Sequence, residues 1–340
     1  MKNLKKIMLG AVAALTLTGA QVAQALTVNG AGATFPYPIY SKWFYEYNKS
    51  TGIQINYQSI GSGGGIQQLT AGTVNFGASD APMTDDQISK VAGGVMHFPT
   101  VAGAVALAYN IPGVTTKLKL TSETVADIYM GVVTKWNDSE IADANPGVSL
   151  PDLNITVAHR SDGSGTSNIF TNYLTKVSTK WAGQVGFGTS VKWPVGVGGK
   201  GNEGVAGLIS QIPGTIGYVE LAYAIKNNLT YALVKNRSGN FVEPTIDSTT
   251  AAAAGALKHM PADFRVMITN AAGSDAYPIC GFTWLLIHPS YGDHETGKAI
   301  VDFLNWYLTT GEGEVKDLYY APLPDSLIDK VKAKVSRIKY

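Results

Sequence analysis

His159-Arg160-Ser161-Asp162-Gly163-Ser164-Gly165-Thr166-Ser167-Asn168 reads as a strand end, a glycine turn and a helix start. A β-rich run at 155–158 leads into it, and Ile169, Phe170, Tyr173, Leu174 and Val177 follow at helical spacing. Ser164 stands where an N-cap belongs. The first amides of a helix have no internal acceptor and lie at the positive end of its dipole. Joined by the Arg160 guanidinium and the Ser164 and Thr166 hydroxyls, they suit a tetrahedral oxyanion. A capped helix after a β-turn, with Arg160 at the surface, is the other account of the same residues.

Two earlier stretches repeat the pattern. A strand over 26–30 runs into Gly30-Ala31-Gly32-Ala33-Thr34-Phe35-Pro36, and Ile39, Tyr40, Trp43, Phe44 and Tyr47 then keep helical spacing. The amides of Thr34 and Phe35 are exposed at that helix start. Ile53, Ile55 and Tyr57 alternate as a strand, Gly61-Ser62-Gly63-Gly64-Gly65 reads as a turn, and a short helix is expected over 66–71. Here Ser62 brings the hydroxyl. A further strand over 74–78 ends at Ser79-Asp80-Ala81-Pro82. Asp80 is thus placed at the C-terminal end of a strand, where open α/β sheets hold ligands.

Farther on, 96–110 is apolar and long enough for two strands that lead from one domain into the next. Gly196-Val197-Gly198-Gly199-Lys200-Gly201 matches G-x-G-x-x-G, but is read as lacking both a strand–turn–helix context and an acid about 20 residues later, so no nucleotide site is assigned. A helix is expected over 205–211, a strand over 215–224, a hairpin turn at 236–240, and strands over 264–268 and 283–287. The last of these returns the chain to the first domain. Amphipathic helices are expected around Ile300 and Phe303 and around Leu327 and Val331.

Residues 1–25 read as a cleavable signal peptide: Lys2, Lys5 and Lys6, an apolar run over 7–18, then Ala23-Gln24-Ala25. Its removal leaves 315 of 340 residues, enough for two domains, and no later run suits a membrane span. Without the three signal lysines, 23 basic residues face 25 acidic ones, a poor balance for nucleic acid. Cys280 is the only cysteine, so no internal disulfide forms, and a buried, inert thiol is expected. His159 is read as structural. No nucleophile elbow, H-E-x-x-H or phosphate-binding P-loop occurs, so neither catalysis nor a metal or cofactor is expected.

Binding fits better. Hydrogen bonds to charged groups contribute about 1.5–3 kcal/mol each. Half a dozen exceed the roughly 8 kcal/mol of micromolar binding, with Arg160 expected to add a bidentate charge. Asp80 then selects the anion. A carboxylate repels a bound anion unless that anion carries a proton. Phosphate carries one near neutral pH and sulfate does not, so the expected ligand is inorganic phosphate. A phosphatase, and a binder of another oxyanion, are the competing readings.

At these residues the chain resembles the periplasmic phosphate-binding proteins of ABC-type high-affinity phosphate transporters. The likeness lies in Ala31-Gly32-Ala33-Thr34-Phe35-Pro36, Gly61-Ser62, Phe76-Gly77-Ala78-Ser79-Asp80-Ala81-Pro82 and Arg160-Ser161-Asp162-Gly163-Ser164-Gly165-Thr166-Ser167. It extends through Asn110-Ile111-Pro112-Gly113, Lys192-Trp193-Pro194, Gly198-Gly199-Lys200-Gly201-Asn202, Gly217-Tyr218-Val219-Glu220 and Leu323-Pro324. The resemblance implies an α/β, two-domain type II periplasmic-binding-protein fold with crossover hinge strands. It places domain I at 26–100 plus 278–340 and domain II at 101–277. It implies phosphate contacts from Thr34, Phe35, Ser62, Asp80, Arg160, Ser164, Gly165 and Thr166, with Asp162 pairing to Arg160. It also implies no cofactor, a monomer in the periplasm of a Gram-negative cell, and delivery of phosphate to membrane permease subunits powered by an ATPase. Gly63, where the family often has a second Ser, and the solitary Cys280 depart from the pattern.

Overall fold

The computed structural model describes residues 26–257 and 260–340; the expected signal peptide lies outside the described residues. The first half alternates strand and helix: β1 (Thr27–Gly32), α1 (Tyr37–Thr51), β2 (Gln54–Ser59), α2 (Ser62–Thr70), β3 (Phe76–Ser79) and the short α3 (Asp85–Ser89). Then comes β4 (Met96–Tyr109), a single 14-residue strand where two were expected. It is followed by β5 (Lys119–Leu120), α4 (Ser122–Tyr129), α5 (Ser139–Ala142), β6 (Thr156–Arg160), α6 (Gly165–Val177) and α7 (Thr179–Gln184). Next are β7 (Val197–Gly199), α8 (Gly201–Gln211), β8 (Thr215–Glu220), α9 (Leu221–Lys226), β9 (Thr230–Tyr231), β10 (Leu233–Lys235) and β11 (Phe241–Val242). The chain ends with α10 (Ile246–Leu257), β12 (Cys280–Ile287), α11 (His294–Tyr307) and α12 (Asp325–Val335).

Nine strands form one sheet in the order β2-β1-β3-β12-β4-β8-β6-β7, with β9 beside β4. β4 explains the continuity. Its first part pairs antiparallel with β12, from Met96↔Ile287 to Ala104↔Cys280, and Val105–Tyr109 then pairs with β8. A strand buried on both faces reads as one apolar run, so nothing in the sequence marks where it changes partner. On either side, β1 runs parallel to β2 and β3, and β6 runs parallel to β7 and β8. Parallel strands all end on the same side. The carboxyl ends of both halves therefore meet at the centre, on either side of β4 and β12.

Two aromatic cores hold these halves. Trp43, Phe44 and Tyr47 of α1 are buried against Phe303 and Tyr307 of α11, with Tyr40 packed on Trp43 and Phe44. Tyr129, Phe170, Trp193 and Tyr218 pack together with ring centroids 4.6–6.1 Å apart, Tyr218 stacking on Phe170 and Trp193 and Tyr129 meeting them at an angle.

Four sequence expectations are corrected. The glycine run at 61–65 is the first turn of α2, not a loop. Its glycines serve close approach, since a Cβ on Gly65 would fall 2.5 Å from Gly32 Cα. The strand over 215–224 stops at Glu220, whose side chain accepts the Ala222 amide and starts α9. Residues 264–268 form no strand; Phe264 has φ 66° and sits buried under Lys334. The Gly196–Gly201 segment does run strand, turn, helix, from β7 into α8.

Candidate functional site

Each parallel strand end delivers part of one buried cluster. Thr34 and Phe35 follow β1, Ser62 opens α2, and Asp80 follows β3. Arg160 closes β6, Ser164 caps α6, and Gly165 and Thr166 form its first turn. All of these residues are buried.

Three hydroxyls in the cluster are oriented by their neighbours. A hydroxyl has two lone pairs and one proton. Ser62 Oγ accepts from the amides of Asp80 (3.2 Å) and Gly165 (3.1 Å). Thr34 Oγ1 accepts from the backbone amide of Asn202 (3.2 Å) and from its Nδ2 (2.7 Å). Thr166 Oγ1 accepts from Asn202 Nδ2 (3.1 Å) and Arg160 Nη1 (3.4 Å). With both lone pairs engaged, each hydroxyl has only its proton left to offer. The amides of Thr34 and Phe35 add donors that reach no protein acceptor among the described residues.

Asp80 is the acceptor in this ring of donors. Its Oδ1 takes the Thr283 hydroxyl at 3.0 Å, and its Oδ2 faces Gly165. Burial pushes its carboxyl up to about 7, against the opposing pull of the Thr283 hydrogen bond and the Arg160 charge.

Arg160 differs from the sequence expectation in one respect. Its fork points at Asp162, with Nε to Oδ1 at 2.8 Å and Nη2 to Oδ2 at 2.5 Å, so only Nη1 is directed at the Thr166 side. Asp162 also accepts the Gly201 amide at 3.0 Å. Burial raises the Asp162 carboxyl, but the hydrogen bonds and charge of Arg160 outweigh it and hold the group below its usual range. Tyr218 OH accepts the Arg160 amide and pairs with Ser167 Oγ, so the second aromatic core fixes the guanidinium's strand end. Ser164 is the expected cap: its Oγ accepts the Ser167 amide at 3.0 Å. The Gly165 amide is engaged by Ser62 rather than free.

Sequence reasoning missed four residues. Asn202 lies between the Thr34 and Thr166 hydroxyls. Tyr223 OH donates to Thr34 O (2.6 Å), and Tyr320 OH donates to Phe35 O (2.6 Å) and to Glu220 Oε2 (3.1 Å). The Gly198–Asn202 segment, which carries part of the family resemblance, was the available signal, but its spacing gives no role to Asn202. His159 stacks on Trp193 and bonds the Arg160 carbonyl, a packing role as expected. Cys280 is buried, with burial pushing its thiol up to about 12.

A family model described as the PBP superfamily domain matches residues 18–310. The phosphate-binding protein PstS of Pasteurella multocida is 47% identical over 331 residues, covering 97% of this chain and 95% of the relative. PstS of Xylella fastidiosa is 46% identical over 319 residues, covering 94% and 87%. Among solved structures, the high-affinity periplasmic phosphate-binding protein PfluDING with bound phosphate superposes with a TM-score of 0.72 at 22% identity, over 91% of this chain and 93% of that one. The fold is thus the two-domain α/β periplasmic-binding fold, and at such identity along nearly its whole length the chain belongs to the PstS family of phosphate-binding proteins.

Proposed function

We propose that this chain is a periplasmic solute-binding protein. It captures inorganic phosphate between two lobes, 26–100 with 278–340 and 101–277, and delivers it to the membrane permease of an ABC transporter. Residues 1–25 direct export and are removed. Thr34, Phe35, Ser62, Arg160, Ser164 and Thr166 surround the anion as donors, Gly165 lines it while its amide holds Ser62 Oγ, Asp80 accepts, and Asp162 holds Arg160. The names of the relatives support this reading.

The observation that carries it is the buried ring of hydroxyls whose lone pairs are already taken, closed by one carboxylate. Such a site offers protons to every oxygen of a tetrahedral anion and asks for one proton in return. Hydrogen phosphate and dihydrogen phosphate supply it. Sulfate does not, and meets Asp80 as an unpaired like charge.

Because Asp80 titrates near neutrality, selectivity depends on pH. Below about 7 the carboxyl takes up the proton that sulfate lacks. Calorimetric titration with phosphate and sulfate from pH 5 to 8 is the test. The preference for phosphate should grow as pH rises, and Asp80→Asn should reduce it at pH 8 by about tenfold or more, the size of one unpaired buried acceptor. A preference that is flat with pH and unchanged in Asp80→Asn refutes the assignment of Asp80.

A further inference from the structure

Asn202 touches the cluster without being part of the expected ligand set. It is fully buried in the first turn of α8. Its Oδ1 accepts the Glu220 amide at 2.8 Å, which fixes which way the side-chain amide faces. The NH2 group is thereby turned toward both threonines, reaching Thr34 Oγ1 at 2.7 Å and Thr166 Oγ1 at 3.1 Å. Those hydroxyls come from segments 132 positions apart in the chain, at the ends of β1 and β6. Only a donor between them has this effect. An acceptor at the same place would draw the hydroxyl protons to itself and present lone pairs to the anion.

We infer that Asn202 is a positioning residue for the anion site: its Nδ2 occupies a lone pair on each of Thr34 and Thr166, and with the Asn202 amide and Arg160 Nη1 on the others both hydroxyls can only donate to a bound oxyanion. The inference rests on the phosphate-binding reading above. Its physical content is a preset polarity. No hydroxyl has to reorient when phosphate arrives, which lowers the cost of binding. Glu220 and β8 act behind it, since the Glu220 amide sets the orientation of the Asn202 side chain.

A double-mutant cycle tests this, read by calorimetric titration with inorganic phosphate up to millimolar concentration. Asn202→Ala should raise Kd at least tenfold in the otherwise native protein. In a Thr34→Val, Thr166→Val background, where no hydroxyl remains to orient, the same substitution should change Kd less than about threefold. A residue that merely packs would cost the same in both backgrounds, and that result overturns the inference. If Asn202→Ala does not fold, Asn202→Asp keeps the shape and the acceptor for the Glu220 amide while replacing the donor by a charged acceptor, and its loss is compared in the native and the Thr34→Val, Thr166→Val backgrounds, where charge repulsion is common to both and only the loss of donor orientation differs. In the native background Asn202→Asp should bind phosphate at least a hundredfold more weakly, a larger loss than in the other; native-like binding by Asn202→Asp, or an equal loss in both backgrounds, also overturns the inference. Native protein that fails to bind phosphate at all refutes the phosphate reading instead, so the two failures are distinguishable.

Discussion

Asp80 and His97 titrate in opposite senses over the same pH range. Asp80 holds its proton in the folded state up to about 7, whereas an unfolded Asp releases it near 4. Its contribution to stability is therefore present at low pH and is lost as pH rises from about 4 to 7. His97 is buried, and burial together with the Arg265 and Lys334 charges lowers it to about 3. Its Nε2 accepts the Met83 amide at 3.0 Å, so it folds neutral. Its contribution is present above about 6.5 and is lost as pH falls toward 3. Each effect is on the order of 4 kcal/mol; Glu312, pushed up by burial to about 8, and Glu220, also raised by burial, add falls with pH of their own, so both effects are read as differences from the native profile. Thermal unfolding of the ligand-free protein should separate them. In Asp80→Asn the midpoint relative to the native protein should rise with pH between 4 and 6.5. In His97→Gln, whose side-chain oxygen can still accept the Met83 amide, it should fall over that range. Identical profiles for all three proteins would exclude both shifts.

Gly165 is a second residue with a sharp expectation. A Cβ there would fall 2.5 Å from both Asp80 Oδ2 and Ser62 Oγ. Gly165→Ala should therefore push the strand ends apart and weaken phosphate binding by about a hundredfold or more. The melting temperature should move only by a few degrees, because α6 tolerates alanine in its first turn. Calorimetry and a melting curve on the same sample check this.

At the scale of elements, the start of α6 serves as both cap and site. Ser164→Ala removes the acceptor for the Ser167 amide and should cost about 1 kcal/mol in urea unfolding. Asp162→Ala should cost more, about 3–5 kcal/mol, because it leaves the Arg160 side chain, 1% exposed, buried without its counter-charge. Equal losses from the two substitutions would mean that Arg160 finds another partner or reaches solvent. α2 meets α6 just as closely. The Gly63 amide donates to Gly163 O at 2.8 Å, and a Cβ on Gly63 would lie 3.0 Å from Gly163 Cα. The glycine at this departure from the family pattern thus allows two helix starts to touch.

At the scale of the molecule, several contacts tie 26–100 and 278–340 to 101–277. Besides Tyr223 to Thr34 and Tyr320 to Glu220, Arg265 Nη1 donates to Met83 O at 2.8 Å and pairs with Asp85 at 2.8 Å. β4 runs unbroken between the two sides, and β12 pairs with its first part. A ligand that bonds both sides binds the closed arrangement better and shifts the population toward it. Small-angle scattering should accordingly give a smaller radius of gyration with phosphate than without; an unchanged radius counts against closure.

Much of this was legible in the chain itself. Strand–turn–helix units at Thr34, Ser62 and Ser164 are written in local pattern, because helix starts, caps and apolar periodicity depend on residues within a few positions of one another. Asp80 at a strand end followed from the same local reading. Longer-range relations were not legible. The change of partner along β4 and the place of Asn202 between Thr34 and Thr166 join residues by packing rather than by spacing, whereas the pairing of Arg160 with Asp162, two positions away, was expected. Sequence by itself determined which segments become strand ends bearing donors, since that is a matter of near neighbours. Only the tertiary structure decided which lone pairs those donors occupy and where Asp80 loses its proton. Hydrogen-bond direction and burial depend on groups brought together from 18 to 203 positions apart.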